Sequence, residues 1–350
     1  MARRHAILEP AWYRAHNGVG TIWRRPLAHL HYAFVGRRRG YPPHALFDPA
    51  WLTSHADALG VSAPRPGHEL ADYVAREDLW TVDPHPYAFF PFESFASAAP
   101  ETNPLARAQS ESAVDAPPGH GHPLMDFRWC LEHDFDSRLA ETSTVADALK
   151  VVAEHAARAG REGRRLRIGP DLDVLFVNGE YHCAACVQCG VWAPACALRR
   201  AGCRVAVITA VDIPRLEAFS FHAPCVMVFR ATAGPQLLRF IDRLRLQGAR
   251  IGFDCDDLLF GAPQTVGLQE DAAGFRDVYS HNAHAARMSE VTECSDFAIV
   301  PTDTLAAAAQ ETGIAPENVF VVPSFLSEQQ VLCTTGIDPP TYEGPLVCAS

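Results

Sequence analysis

Apolar residues in the second half of the chain fall into short continuous runs, separated by longer stretches with helical spacing. The runs are Asp173–Val177, Arg204–Thr209, Cys225–Phe229, the approach to Asp254, Phe297–Val300 and Val319–Val322. Between them the spacing predicts helices from Val145 to about Arg158, over Val187–Ala201 closed by Gly202, over Pro235–Gln247 stopped by Gly248, from about Ala272 to Ser289, and over Thr302–Thr312. Short runs that are apolar throughout, alternating with helices, are what a parallel sheet covered on both faces requires. The expected fold class is α/β: a Rossmann-like parallel sheet with helices on both faces, preceded by a small, mainly helical repeat region.

The N-terminal part repeats itself. Glu9-Pro-Ala-Trp-Tyr-Arg-Ala-His16 is echoed 39 residues later by Asp48-Pro-Ala-Trp-Leu-Thr-Ser-His55, and a worn third copy is expected from Phe92-Glu93. Each unit reads as two short helices, because an acidic residue can cap a helix start and the Pro after it fits the first turn. The Trp and Tyr serve either as the packing core between stacked units or as carbohydrate platforms. From about Ser94 to Pro123 the composition shifts to Ala, Ser, Pro, Gly and His, ending in Gly119-His120-Gly121-His122-Pro123, which reads as linker more readily than as a metal site. The expected organisation is a repeat region over 1–110 in units of about 39–45 residues, a linker over 111–143, a Rossmann-like domain over 144–330, and a run-in to a further strand over 331–350.

Composition narrows the function classes. With 350 residues, 48% hydrophobic and 20% charged, the chain is an ordinary globular protein, and its formal charge of −11 argues against a nucleic-acid surface. Arg37-Arg38-Arg39 and the cluster from Arg161 to Arg167 are local exceptions that read as solvated charge or as contacts to phosphate or a membrane surface. No apolar stretch approaches the ~18–20 residues needed to cross a bilayer. The N-terminal segment breaks at Glu9 and Pro10 before a signal-peptide core could form, so the 11 cysteines point to reduced thiols and a cytoplasmic location.

The most informative segment is Arg250-Ile-Gly-Phe-Asp-Cys-Asp-Asp-Leu-Leu-Phe260, an apolar run ending in Asp254, Asp256 and Asp257. Alternation along an extended segment aims Asp254 and Asp256 to one side, and the carboxyl end of a strand in an open α/β sheet is where ligands are received. Asn178, Gly179 and Glu180 follow the first strand, where a glycine lets the backbone approach a ligand; the full Gly-x-Gly-x-x-Gly fingerprint of NAD or FAD sites is missing. Arg230 ends the third strand and either meets an anionic group of a substrate or pairs with Asp254. Cys183, Cys186 and Cys189 fail the spacing of a ferredoxin-type cluster and suit a buried helix face. His222 and His281 have acid/base chemistry but no identifiable partner.

Together these residues resemble bacterial glycosyltransferases of the GT-B type, family 4-like, that build surface polysaccharides and often carry N-terminal aromatic repeats. The resemblance rests on Phe253 to Phe260, on Asp296 to Thr302 and Val319 to Pro323, and on the repeat elements Phe47-Asp48-Pro49-Ala50-Trp51, Pro26 to His29, Tyr32, Arg39 and Pro43. It implies the acceptor-side half of a retaining, metal-independent hexosyltransferase with no cofactor beyond the nucleotide-sugar donor. Asp254, Asp256 and Asp257 are then catalytic, and Asn178, Gly179, Glu180 and Arg230 bind substrate. The implied partners are a nucleotide-sugar, a glycan acceptor, a membrane assembly met peripherally, and a protein supplying the donor-binding domain, for which the 27 residues after Pro323 are too few; nucleic acid is not among them. Two other readings compete: a non-catalytic glycan- or partner-binding scaffold, and a transferase that uses Asp-x-Asp to hold Mn²⁺ or Mg²⁺.

Overall fold

The computed structural model describes residues 7–19, 25–89, 103–116, 118–180, 184–257, 260 and 278–323. Six strands form one all-parallel sheet: β1 (Val174–Asn178), β2 (Val205–Thr209), β3 (Cys225–Phe229), β4 (Arg250–Asp254), β5 (Phe297–Val300) and β6 (Val319–Val321), in the order β2-β1-β3-β4-β5-β6. Side-chain alternation divides the sheet between two cores. Leu175, Val177, Val226, Val228, Ile251 and Phe253 pack with the helices Val145–Arg161, Pro235–Leu246, Val278–Glu293 and Asp303–Glu311. On the opposite face Phe176, Met227, Phe229 and Phe297 pack with Val187, Val191, Trp192 and Ala195. The α/β class, the parallel sheet and its two helical layers follow the sequence reading.

Those last four residues lie on one helical run, Ala184–Val187, a π turn Gln188–Trp192, and Ala193–Arg200. The turn sets Gly190 against the Phe229 ring, where a Cβ would sit 2.1 Å from the ring edge. The expected helix from Ala272 lies partly outside the described residues, and the start of the copy expected at Phe92-Glu93 lies wholly outside them.

The repeat region has the expected paired helices, Pro10–His16 with Arg25–His31 and Pro49–Ala58 with Glu69–Ala75. Asp48 caps as foreseen, accepting from the backbone N–H groups of Ala50 and Trp51. Glu9 does not cap its helix. Its longer side chain reaches instead to Lys150, 3.0 Å away, and toward His44.

The segment 111–143 is not a linker. Leu124, Met125, Phe127, Cys130 and Leu139 are buried in the main core, and Asp126 caps a helix Phe127–Glu132. This is a further copy of the repeat, with Trp129 stacked on His133 as Trp12 stacks on His16 and Trp51 on His55. Three histidine turns recur among the described residues of this region. The Nδ1 of His44, His85 and His122 accepts the backbone N–H of Leu46, Tyr87 and Leu124 respectively, two residues on, at 3.0–3.2 Å. A ring nitrogen that accepts carries no proton, so these imidazoles are neutral Nε2–H tautomers.

The repeats and the sheet are clamped by Arg215, in the 3-10 segment Ala210–Ala218 after β2. Its buried guanidinium pairs with Asp83 and Asp212 and donates to the carbonyls of His85, Pro86 and Ala88. The Phe89 ring lies 3.5 Å beneath it. His122 sits edge-on between Phe89 and Phe219, 4.5 Å from each ring.

Candidate functional site

The register aligns the carboxyl ends of three strands: Asn178 of β1 is level with Phe229 of β3, which is level with Asp254 of β4. Strand order reverses between β1 and β3, and a crevice at such a reversal is where open α/β sheets receive ligands. Gly179 stands on one side of it. A Cβ there would lie 2.3 Å from Ala231 Cα, so this glycine permits the close approach of two loops rather than of a ligand. Its N–H donates to the carbonyl of Phe229 at 2.8 Å, and the Asn178 side chain closes the same loop by donating to the Glu180 carbonyl and accepting its N–H.

Arg230 is the centre of the site. It is 5% exposed, its backbone is left-handed at φ 46°, and its N–H donates to the Asp254 carbonyl. A non-glycine residue in that region costs on the order of 1 kcal/mol and persists where surrounding contacts over-determine it. Those contacts are three carboxylates: Glu180 at 3.3 Å, Asp256 at 2.9 Å and Asp257. Of the two pairings open to Arg230 from sequence, the one with the Asp254 side chain is thus replaced by pairs with its neighbours. Arg230 Nε and Asp256 Oδ1, although 2.9 Å apart, are out of line for a hydrogen bond, so both retain hydrogen-bonding capacity.

Asp254 stands apart from this network. Burial pushes its carboxyl up to about 8, the charge of Asp256 adds to the rise, and Arg230 opposes it. Asp254 and Asp256 both open onto a cavity of about 430 Å³, floored by Met227, Phe297 and Ile299 and walled by Cys189 and Pro194 of the covering helix. The strand alternation of Phe297 and Ile299 is the signal that could have named this floor in advance. Cavities of this size take small organic ligands.

The remaining candidates separate. Cys255 is buried and its thiol is pushed up to about 12, which removes it as a nucleophile near neutrality. His222 precedes β3, at the end of the sheet away from the rim, and its imidazole faces the Gln247 carbonyl. Cys183 and the His281 side chain lie outside the described residues. Cys186 packs beside the second core, as its spacing suggested. Among the described residues the one group of potential ligand atoms close enough to share a metal ion is His55, Asp83 and Asp212. Arg215 already supplies a cation to both of those carboxylates.

The arrangement can therefore bind a polyhydroxylated or cationic molecule over an apolar floor and exchange a proton with it at Asp254. Its carboxylate excess disfavours an anion. No protein-family model matches the chain, and comparison with curated proteins gives no match.

Proposed function

We propose that the chain is the acceptor-side half of a cytoplasmic glycosyltransferase that passes a sugar from a nucleotide-sugar to a bacterial surface glycan. The observation that carries the reading is that Asp254, whose carboxyl burial raises to about 8, and Asp256, the ion-pair partner of Arg230, line the same cavity. An acceptor sugar lying on Met227, Phe297 and Ile299 can donate a hydroxyl hydrogen bond to Asp256, whose charge Arg230 balances from behind. A second hydroxyl faces Asp254. At neutral pH burial keeps most Asp254 carboxyls protonated, and the ionised minority is a far stronger base than an ordinary carboxylate. As the acceptor oxygen bonds to the anomeric carbon, its proton passes to Asp254 and the bond to the nucleoside diphosphate breaks. No residue described in this chain is assigned to the diphosphate, whose charge the Asp256 and Asp257 carboxylates repel.

Saturation-transfer NMR against methyl glycosides tests the reading. Millimolar binding of at least one hexoside is expected, lost in Asp256→Asn and retained in an exposed control such as Glu154→Gln. Sugar transfer by the full chain supplied with donor-domain protein should rise with pH through about 8. Glycoside binding that survives Asp256→Asn, or transfer with a flat pH profile, refutes the assignment. The non-catalytic scaffold draws support from the Trp–His stacks of the repeats; glycoside signals confined to Trp12 and Trp129 would favour it.

A further inference from the structure

The exposed large apolar side chains among the described residues of 7–89 all lie on one helical run. The helix Arg25–His31 continues through a π turn, Tyr32–Gly36, into the 3-10 turn Arg37–Arg39. Ala28, Tyr32 and Gly36 form its buried side. Its other side leaves Leu27 38% exposed, Leu30 49% and Phe34 67%, and ends in the exposed Arg38 and Arg39. Spacings of three and four residues place this series on a single face. None of Arg37, Arg38 and Arg39 makes an ion pair with a described residue; Arg39 donates only to the Tyr41 hydroxyl, at 3.3 Å. In a chain with net charge −11 the cluster is a local reversal of sign.

We infer that this face docks the protein on an anionic lipid bilayer, with Leu27, Leu30 and Phe34 entering the boundary between headgroups and acyl chains and the arginines lying among the lipid phosphates. A row of apolar side chains beside unpaired cations is the pattern by which interfacial helices bind membranes, and each part alone binds weakly. A protein partner fits less well. A stable protein interface takes about 800 Å² from each side, more than three side chains on one short helix supply. The inference does not depend on the sugar-transfer reading, since it involves neither the rim of the sheet nor its cavity.

Sedimentation of the full chain with vesicles tests it. With vesicles of phosphatidylcholine containing about 30 mol% phosphatidylglycerol, the protein should pellet at low salt and be released as salt rises. Vesicles of phosphatidylcholine alone should bind at least ~10-fold less. Leu30→Ser with Phe34→Ser should weaken binding to the anionic vesicles ~10-fold or more, and Arg38→Glu with Arg39→Glu should remove the preference for anionic lipid. All four positions face outward, so unchanged thermal melting shows that the variants are folded. Wild-type protein that stays in solution with anionic vesicles at low salt overturns the inference, as does equal pelleting of the variants. A dimer that forms in the absence of lipid and is lost in the Phe34 variant, without vesicle binding, assigns the face to a second copy and overturns it too.

Discussion

Acidification should destabilise this protein at a pH where its paired carboxylates are still ionised, because the histidine turns are buried in neutral form. Burial lowers His44 to about 3, helped by the charge of Lys150, and lowers His55, a buried histidine outside the turns, to about 4, helped by Arg215 and opposed by Asp212. Burial and the same Arg215 hold His122 well below the usual range. The unfolded imidazole titrates near 6.5. With each folded value below the unfolded one, protons bind the unfolded chain first. The contribution is complete above about pH 6.5 and is lost as pH falls toward the folded values. At pH 5 His44 and His55 each cost about 2 kcal/mol, together roughly 4 kcal/mol against a total stability on the order of 5–15 kcal/mol, and His122 adds in the same direction. The geometric cause is plain for His44 and His122: a protonated Nδ1 would point a donor at the N–H donor of Leu46 or Leu124. Asp254 acts with the opposite sign, since a raised acid regains stability as pH falls, so single substitutions are needed to isolate the histidines. Urea unfolding followed by tryptophan fluorescence at about pH 7.5, 6 and 5 is the assay. His44→Asn keeps a short acceptor that does not titrate; it should lower stability at neutral pH yet remove about 2 kcal/mol of the loss between pH 7.5 and 5. Stability that is flat over this interval, or a variant that loses as much as wild type, refutes the reasoning.

Arg215→Ala leaves Asp83 and Asp212 buried without their cation, and should cost about 3–5 kcal/mol in urea unfolding, with partial recovery when both aspartates become asparagine. Asp254→Asn should raise stability while abolishing sugar transfer: the wild-type carboxyl, raised to about 8, loses stability as pH climbs from about 4 to about 8, so the melting temperatures should diverge over that range and converge below it. Gly179→Ala should cost about 1–3 kcal/mol because the new Cβ meets backbone atoms of Ala231, and Ala231→Gly should restore part of it. Asp48→Ala should cost about 1 kcal/mol through loss of the helix cap, measured by thermal melting, with no change in glycoside binding.

The sheet was legible because its strands are apolar on both faces. Cys225–Phe229 and Phe297–Val300 coincide with the expected runs, and the other boundaries move by a residue or so where a helix or strand end frays. The stretch 111–143 was not. Leu124, Met125, Phe127, Cys130 and Leu139 are too few and too irregularly spaced to show a period, and the Gly-His alternation before them has the composition of a loop. What could have identified it is the turn signature itself, His44-Ala-Leu-Phe-Asp48 set beside His122-Pro-Leu-Met-Asp126, each followed by Trp three residues after the acid. Its physical content is a side-chain acceptor two residues before a backbone donor, as in an Asx turn, built from a residue type seldom counted among turn formers. Arg215 was invisible for a different reason. Its partners Asp83 and Asp212 are 132 and 3 positions away, and no local pattern encodes a contact between a repeat and a sheet.

At the site, spacing along β4 placed three carboxylates at the rim, but sequence could not divide their labour. That division comes from Arg230, whose left-handed backbone turns its side chain away from Asp254 and into Glu180, Asp256 and Asp257. A carboxyl that is enclosed and left beside another carboxylate keeps its proton. One arginine therefore takes Asp256 as its ion-pair partner and leaves Asp254 as the group raised to about 8. Replacing Arg230 by glutamine should thus change both at once: Asp254 and Asp256 would share the rim without a cation, the apparent titration of Asp254 would move further up, and the pH at which transfer becomes efficient would rise with it. Loss of transfer at every pH would mean that Arg230 touches the acceptor directly, and an unshifted profile would mean that Asp254 is not the base.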